Sequence, residues 1–125
     1  MATAAYDTDN IFARILRGEI PCNKVLENDH ALAFHDIAPQ APVHVLVIPK
    51  GPYITMDDFS ANASDIEIAD FIRAVGQVAR DLGVPAPGFR AVVNNGPHAH
   101  QEVPHLHMHI FAGRDLGGMI KHFKD

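Results

Sequence analysis

Three histidines alternate with apolar residues in Val103-Pro104-His105-Leu106-His107-Met108-His109-Ile110-Phe111. A period of two predicts a half-buried β-strand, in which side chains at i, i+2 and i+4 share a face roughly 6.6–6.8 Å apart. The three imidazoles then point one way, while Leu106, Met108 and Ile110 point into a core. Two chemistries suit such a row. Neutral imidazole is a common zinc ligand, and ligands alternating on a strand can converge on one ion. An imidazole with a pKa near 6.5 is also largely neutral at pH 7, so it can act as a nucleophile and form a covalent intermediate. A solvated face that happens to be rich in histidine is the bland alternative. Five of the nine histidines fall between His98 and His109, which argues against accident. Residue types alone do not separate metal binding from nucleophilic chemistry.

The elements that must position these groups follow from pattern. Asp9 or Asn10 can cap a short helix carrying Ile11, Phe12, Ile15 and Leu16, which Gly18 ends. Lys24–Glu27 and Ala31–His35 read as strands joined by a turn at Asn28-Asp29. The Pro-rich stretch from Asp36 to Pro42 is a loop, and His44–Ile48 is an apolar strand expected to lie centrally. Tyr53–Ala63 reads as a connector. Ser64-Asp65-Ile66-Glu67 makes a capping box for a long helix with Ile68, Phe71, Ile72, Val75, Val78, Ala79 and Leu82 inward, stopped by Gly83. Phe89–Asn94 is a fourth strand, and the loop from Asn95 to Glu102 feeds the histidine strand. The architecture expected is α+β: a five-stranded antiparallel sheet with one long and one short helix.

At 125 residues the chain is expected to be one domain, with residues 1–8 a flexible tail. A net charge of −5 argues against binding a nucleic-acid backbone. Cys22 is the only cysteine, so no disulfide framework is expected. No run approaches the ~18 apolar residues of a membrane span, and no signal pattern opens the chain. The expected address is cytoplasmic, with no membrane partner.

The segment His105-Leu106-His107-Met108-His109-Ile110-Phe111 resembles the His-φ-His-φ-His-φ-φ motif of the histidine triad (HIT) family of nucleotide hydrolases and transferases. Phe34 to His44, Val47-Ile48-Pro49-Lys50, Ile11-Phe12, Asn94 and Gln101-Glu102-Val103 are similar to its Hint branch, in order and nearly in spacing. The resemblance implies a five-stranded fold dimerising into a ten-stranded sheet. It also implies purine nucleoside phosphoramidase activity that releases AMP or a related monophosphate, with no cofactor required and zinc not favoured.

By the same resemblance His107 is the nucleophile. His109 and His44 hold charge on the phosphate, His105 is a strut, and Glu102 sits beside the leaving group. Nucleotide contacts fall to Ile11, Phe12, His35, Asp36, Ile37, Asn94, His100, Gln101, Glu102, His107 and His109, with Asp36 on the ribose diol and Ile37 against the base. Asn94 and Gln101 would offer amide donors to sugar or phosphate.

Two positions depart from the family pattern. Glu102 stands where animal Hint proteins have serine, and His100 where glycine is usual, so a positive φ there becomes costly. The absence of Trp removes the C-terminal Trp ending of animal relatives. Rival readings are a Fhit-type dinucleoside polyphosphate hydrolase, a zinc-binding regulatory module and a nucleotide-binding interaction protein. His109 argues against the transferase branch, which carries glutamine at that position.

Overall fold

The computed structural model describes residues 5–121 and 123. In chain order the elements are α1 (Ile11–Leu16), β1 (Lys24–Glu27), β2 (Ala31–His35), β3 (Val43–Pro49), α2 (Met56–Asn62), α3 (Asp65–Asp81), β4 (Arg90–Val93), a 3₁₀ turn (Pro97–Ala99) and β5 (Met108–Ala112). The sheet is antiparallel throughout, in the order β1-β2-β3-β5-β4. The α+β expectation and its five-stranded sheet hold. Apolar β3 is central, as its composition requires.

Period-two alternation divides the sheet into two faces. Ala31, Ala33, Val45, Val47 and Ile110 pack with Leu106 against Phe71, Ala74, Val75 and Val78 of α3. On the other face Leu32, Phe34, Leu46 and Ile48 pack with Phe12 of α1. His44 and His109 stand on this second face, because His109 pairs with Leu46 and His44 with Phe111.

Both main helices begin and end as their sequences specify. Asn10 accepts from the Ala13 amide, and Ser64 and Glu67 form the reciprocal capping box. At the other end of α1, Gly18 adopts φ +78, with Gly18 N–H donating to Ile15 and Glu19 N–H to Arg14. The end of α3 repeats this with Gly83 and Val84 on Arg80 and Ala79. These paired bonds satisfy carbonyls that the helices leave open.

Three expectations need correction. Tyr53–Ala63 contains α2, capped by Thr55 and anchored by buried Phe59, with Asp57 and Asp58 in its first turn. One buried side chain in two turns gives no readable periodicity, though the cap and acidic residues were available as signals. Ile72 is more than half exposed and Ala74 takes its place in the core. The histidine strand is shorter than its alternation suggests: β5 starts at Met108, so His105 and His107 lie on irregular backbone. Pro104 lacks an amide, and the Leu106 amide donates to Tyr53 rather than across the sheet. The inward set Leu106, Met108, Ile110 survives, since side-chain packing keeps the alternation where the ladder stops.

Of the expected N-terminal tail, residues 1–4 lie outside the described residues, while Tyr6 bonds to His105 and Thr8 accepts from Arg17. At the other end Met119, Ile120 and Phe123 are exposed, and His122, Lys124 and Asp125 lie outside the described residues. Among the described residues no helix is long and apolar enough to cross a membrane.

Candidate active site

A cavity of about 190 Å³ opens on the α1 face of the sheet, lined by Phe12, Asp36, Gln40, Leu46, Asn94, His100, Glu102, Val103, His107 and His109. Residues from α1, the loop after β2, β3, the end of β4, the 3₁₀ loop and β5 meet there. Chain order brings none of them together; the sheet does.

The hydrogen bonds fix which nitrogen of His44, His105, His107 and His109 carries a proton, because backbone partners can only donate or only accept. The Gln40 amide donates to His44 Nδ1 at 3.1 Å, so neutral His44 is protonated on Nε2. That N–H donates to His109 Nδ1 at 2.9 Å, which leaves His109 an Nε2–H to offer to the cavity. His107 Nδ1–H donates to the His105 carbonyl at 2.7 Å, so Nε2 holds the free lone pair. His105 Nε2–H donates to the Pro49 carbonyl at 2.9 Å. Its ring lies behind His107 with no solvent exposure.

Burial keeps these rings neutral. Desolvation lowers the pKa of His105 to about 4, outweighing its bond to Pro49. Desolvation, then the neighbouring His107 and His44, takes His109 to about 4. His107 and His44 are also lowered, chiefly by desolvation, with Asp36 pulling both back upward. A charge in so dry a place costs more than its neighbours return.

The remaining predicted positions divide. Phe12 packs edge-on against His107, ring centres 5.0 Å apart. Asp36 lies 3.5 Å from His44 Nε2 and accepts from the Ala38 amide. Ile11 and His35 do not line the cavity, and Ile37 is 95% exposed, free of any protein contact that would hide it from a ligand. Gln101 departs from expectation. Its amide group donates to the Ile54 and Val103 carbonyls, and its oxygen accepts from Gly96, so the side chain braces the loop rather than offering donors to a ligand. Gln40, Leu46 and Val103 line the cavity although sequence reasoning passed over their side chains; no pattern marks a wall residue as such.

His100 adopts φ +57, the only positive φ of a non-glycine residue among those described. The loop therefore keeps a left-handed conformation despite the bulkier residue. A left-handed non-glycine costs ~1–2 kcal/mol and the freer unfolded glycine chain about 0.5–1, so His100→Gly is expected to stabilise the fold by about 0.5–1 kcal/mol. Thermal melts of the two proteins check this.

Asp36, His44 and His109 each offer a ligand atom, all within 4.8 Å of one another. A metal there would have to displace the proton shared by His44 and His109, whose lone pair is already engaged.

The model of the HIT domain matches residues 17–116, which include every residue of the cavity wall except Phe12. The chain belongs to the HIT family. A HIT-like protein of Azospirillum brasilense is 68% identical over 115 residues, covering 92% of this chain and 94% of that one. The purine nucleoside phosphoramidase of Escherichia coli strain K12 is 40% identical over 114 residues, covering 91% and 95%. Among solved structures, a HIT family hydrolase from Clostridium thermocellum superposes with a TM-score of 0.82 at 37% identity, covering 90% and 97%. Within this HIT domain the motif's alternation carries Leu106 and Ile110 into the core and leaves His107 and His109 on the cavity wall.

Proposed function

We propose that this protein is a Hint-type hydrolase of purine nucleoside 5′-phosphoramidates or aminoacyl-adenylates. The observation that carries the reading is the His107 ring, held by its Nδ1–H on the His105 carbonyl with the Nε2 lone pair left for the cavity. Nε2 attacks the α-phosphorus, and the P–N bond, or the P–O bond to an acyl group, breaks. The amine leaves with a proton taken from solvent, or the acyl group leaves as its carboxylate, and a nucleotidyl-His107 intermediate remains. Water then attacks the same phosphorus, releasing the nucleoside monophosphate and neutral His107. His109 Nε2–H donates to a nonbridging oxygen, with His44 behind it setting that tautomer. Asp36 accepts from the ribose diol, and no cofactor enters the scheme.

Charge favours this over a dinucleoside polyphosphate. The cavity wall holds two carboxylates, Asp36 and Glu102, with the neutral rings of His107 and His109 and neither Lys nor Arg. A single phosphoryl charge is tolerable beside them; a polyphosphate bridge is repelled. Comparing kcat/KM for adenosine 5′-phosphoramidate and diadenosine tetraphosphate tests the choice, and a preference for the latter would overturn it. Metal analysis of untagged protein addresses the zinc-module reading, which requires near-stoichiometric zinc.

Glu102 is exposed at the cavity rim, which suits a repelling or orienting charge better than an internal acid. Glu102→Gln is expected to lower KM for the phosphoramidate ~3-fold by removing a like charge, with kcat within a few-fold of wild type. A kcat loss near ~10²-fold would instead make it the proton donor to the leaving amine.

The proposed assembly is a homodimer in which two β4 strands pair at their free edges, giving ten strands. β4 ends the sheet beyond β5, so its outer edge has no partner within the described residues.

A further inference from the structure

Tyr6 precedes the matched HIT domain and belongs to none of the segments that carry the family motifs. Its hydroxyl nonetheless lies 2.5 Å from His105 Nδ1, a residue 99 positions away in the chain. The two rings meet edge-on with centres 5.6 Å apart. His105 is fully buried, so neither ring nitrogen can turn to water. Its Nε2 faces the Pro49 carbonyl, which can only accept, so the proton sits on Nε2 and Nδ1 must accept. Burial raises the Tyr6 pKa, which keeps the phenol protonated and able to donate at neutral pH.

The residue that carries this ring also carries the carbonyl that holds His107 Nδ1–H at 2.7 Å. The chain just after Tyr6 is fastened to the two caps of α1: Arg17 donates to the Thr8 carbonyl at 2.7 Å, and Asn10 donates to the Asp7 carbonyl at 2.8 Å. The same helix brings Phe12 against His107.

We propose that Tyr6 is a positioning residue for His107, its hydroxyl fixing the His105 ring as the Nε2–H tautomer and thereby the carbonyl that orients the reacting imidazole. The N-terminal segment is then the back wall of the site rather than a tail. This rests on the reading of His107 as the nucleophile. It adds a donor from outside the family motif, with a defined chain of bonds: Tyr6 O–H to His105 Nδ1, His105 Nε2–H to Pro49, His107 Nδ1–H to the His105 carbonyl.

Two substitutions separate hydroxyl from ring. Tyr6→Phe keeps the packing and orphans a buried acceptor; Tyr6→Leu removes both. Expected for Tyr6→Phe is a kcat on adenosine 5′-phosphoramidate about tenfold lower with KM within about twofold, and Tyr6→Leu little worse. Histidine ¹⁵N spectra of the substrate-free protein supply a second readout. Wild type should show His105 protonated on Nε2 with a hydrogen-bonded Nδ1, and Tyr6→Phe should shift the Nδ1 resonance toward that of an unbonded lone pair. An unmoved His105 resonance, an unchanged kcat in Tyr6→Phe, or a loss confined to Tyr6→Leu would each overturn the proposal. Should wild type hydrolyse no phosphoramidate, the assigned reaction fails, and the spectra alone still decide for or against the Tyr6 contact.

Discussion

Replacing His107 by alanine is expected to lower kcat for AMP release from adenosine 5′-phosphoramidate at least ~10²-fold, because the covalent route disappears with its nucleophile. KM should change far less. The cavity keeps Phe12, Asp36, Asn94 and His109; without His107, Phe12 retains its contact with Phe34, Asp36 its bond from the Ala38 amide and His109 its bond from His44. A split of this kind, with kcat lost and binding kept, distinguishes removal of a reacting group from collapse of the pocket. Quantifying AMP under saturating substrate, together with the Kd of AMP for the variant, provides both numbers. Wild-type turnover that survives the substitution would mean that water attacks phosphorus directly and that His107 merely lines the wall. Intact-mass analysis of quenched wild-type reactions offers independent evidence, since a nucleotidyl adduct must accumulate if its hydrolysis is the slower step.

Mild acid should destabilise the fold substantially. His105 titrates near pH 4 in the folded chain and near 6.5 when unfolded, burial in the fold being the cause of the difference. Between those values the unfolded chain binds a proton that the folded chain refuses, so stability is full above about pH 6.5 and declines as pH falls toward 4. At ~1.4 kcal/mol per pH unit, His105 alone removes about 3 kcal/mol across this window. His109 acts in the same direction and over the same range, with a smaller effect because solvent reaches part of its ring. His44 and His107, also lowered, add to the slope. Carboxylates do not mask it. Glu27, held near pH 2 by Lys24 and Lys50, begins to matter only below its ordinary value of 4.5. Thermal melts at pH 7.5 and 5.0 should therefore differ by roughly 5–10 °C, using about 2–3 kcal/mol and the scaling for a domain of this size. A flat Tm over this range would mean that the buried imidazoles take up protons as readily in the folded chain as in the unfolded one, and the argument from burial would fall with it.

These two expectations draw on different kinds of information. The alternation around His107 is local, and a β-like segment that buries Leu106 and Ile110 must expose or wall a site with the residues between them. That much is written in nine residues, as are the capping box of α3, the glycine stops of both helices and the apolar run that makes β3 central. Each is a short-range consequence of side-chain direction or backbone freedom, so it needs no knowledge of the rest of the fold.

What the sequence could not determine is which polar groups meet. The amide of Gln101 faces backbone carbonyls 47 and 2 positions away, and nothing in its neighbourhood predicts the first of them. β5 loses the five residues Val103 to His107 of the expected strand, where the Leu106 amide finds the Tyr53 carbonyl instead. Tyr6 reaches His105 across most of the chain, and the partners of His105 Nε2 and His109 Nδ1, the Pro49 carbonyl and the His44 ring, come from distant strands of the sheet. Periodicity reports which face a side chain occupies. Hydrogen bonds between distant segments are set by strand register and loop path, and only the tertiary structure supplies those.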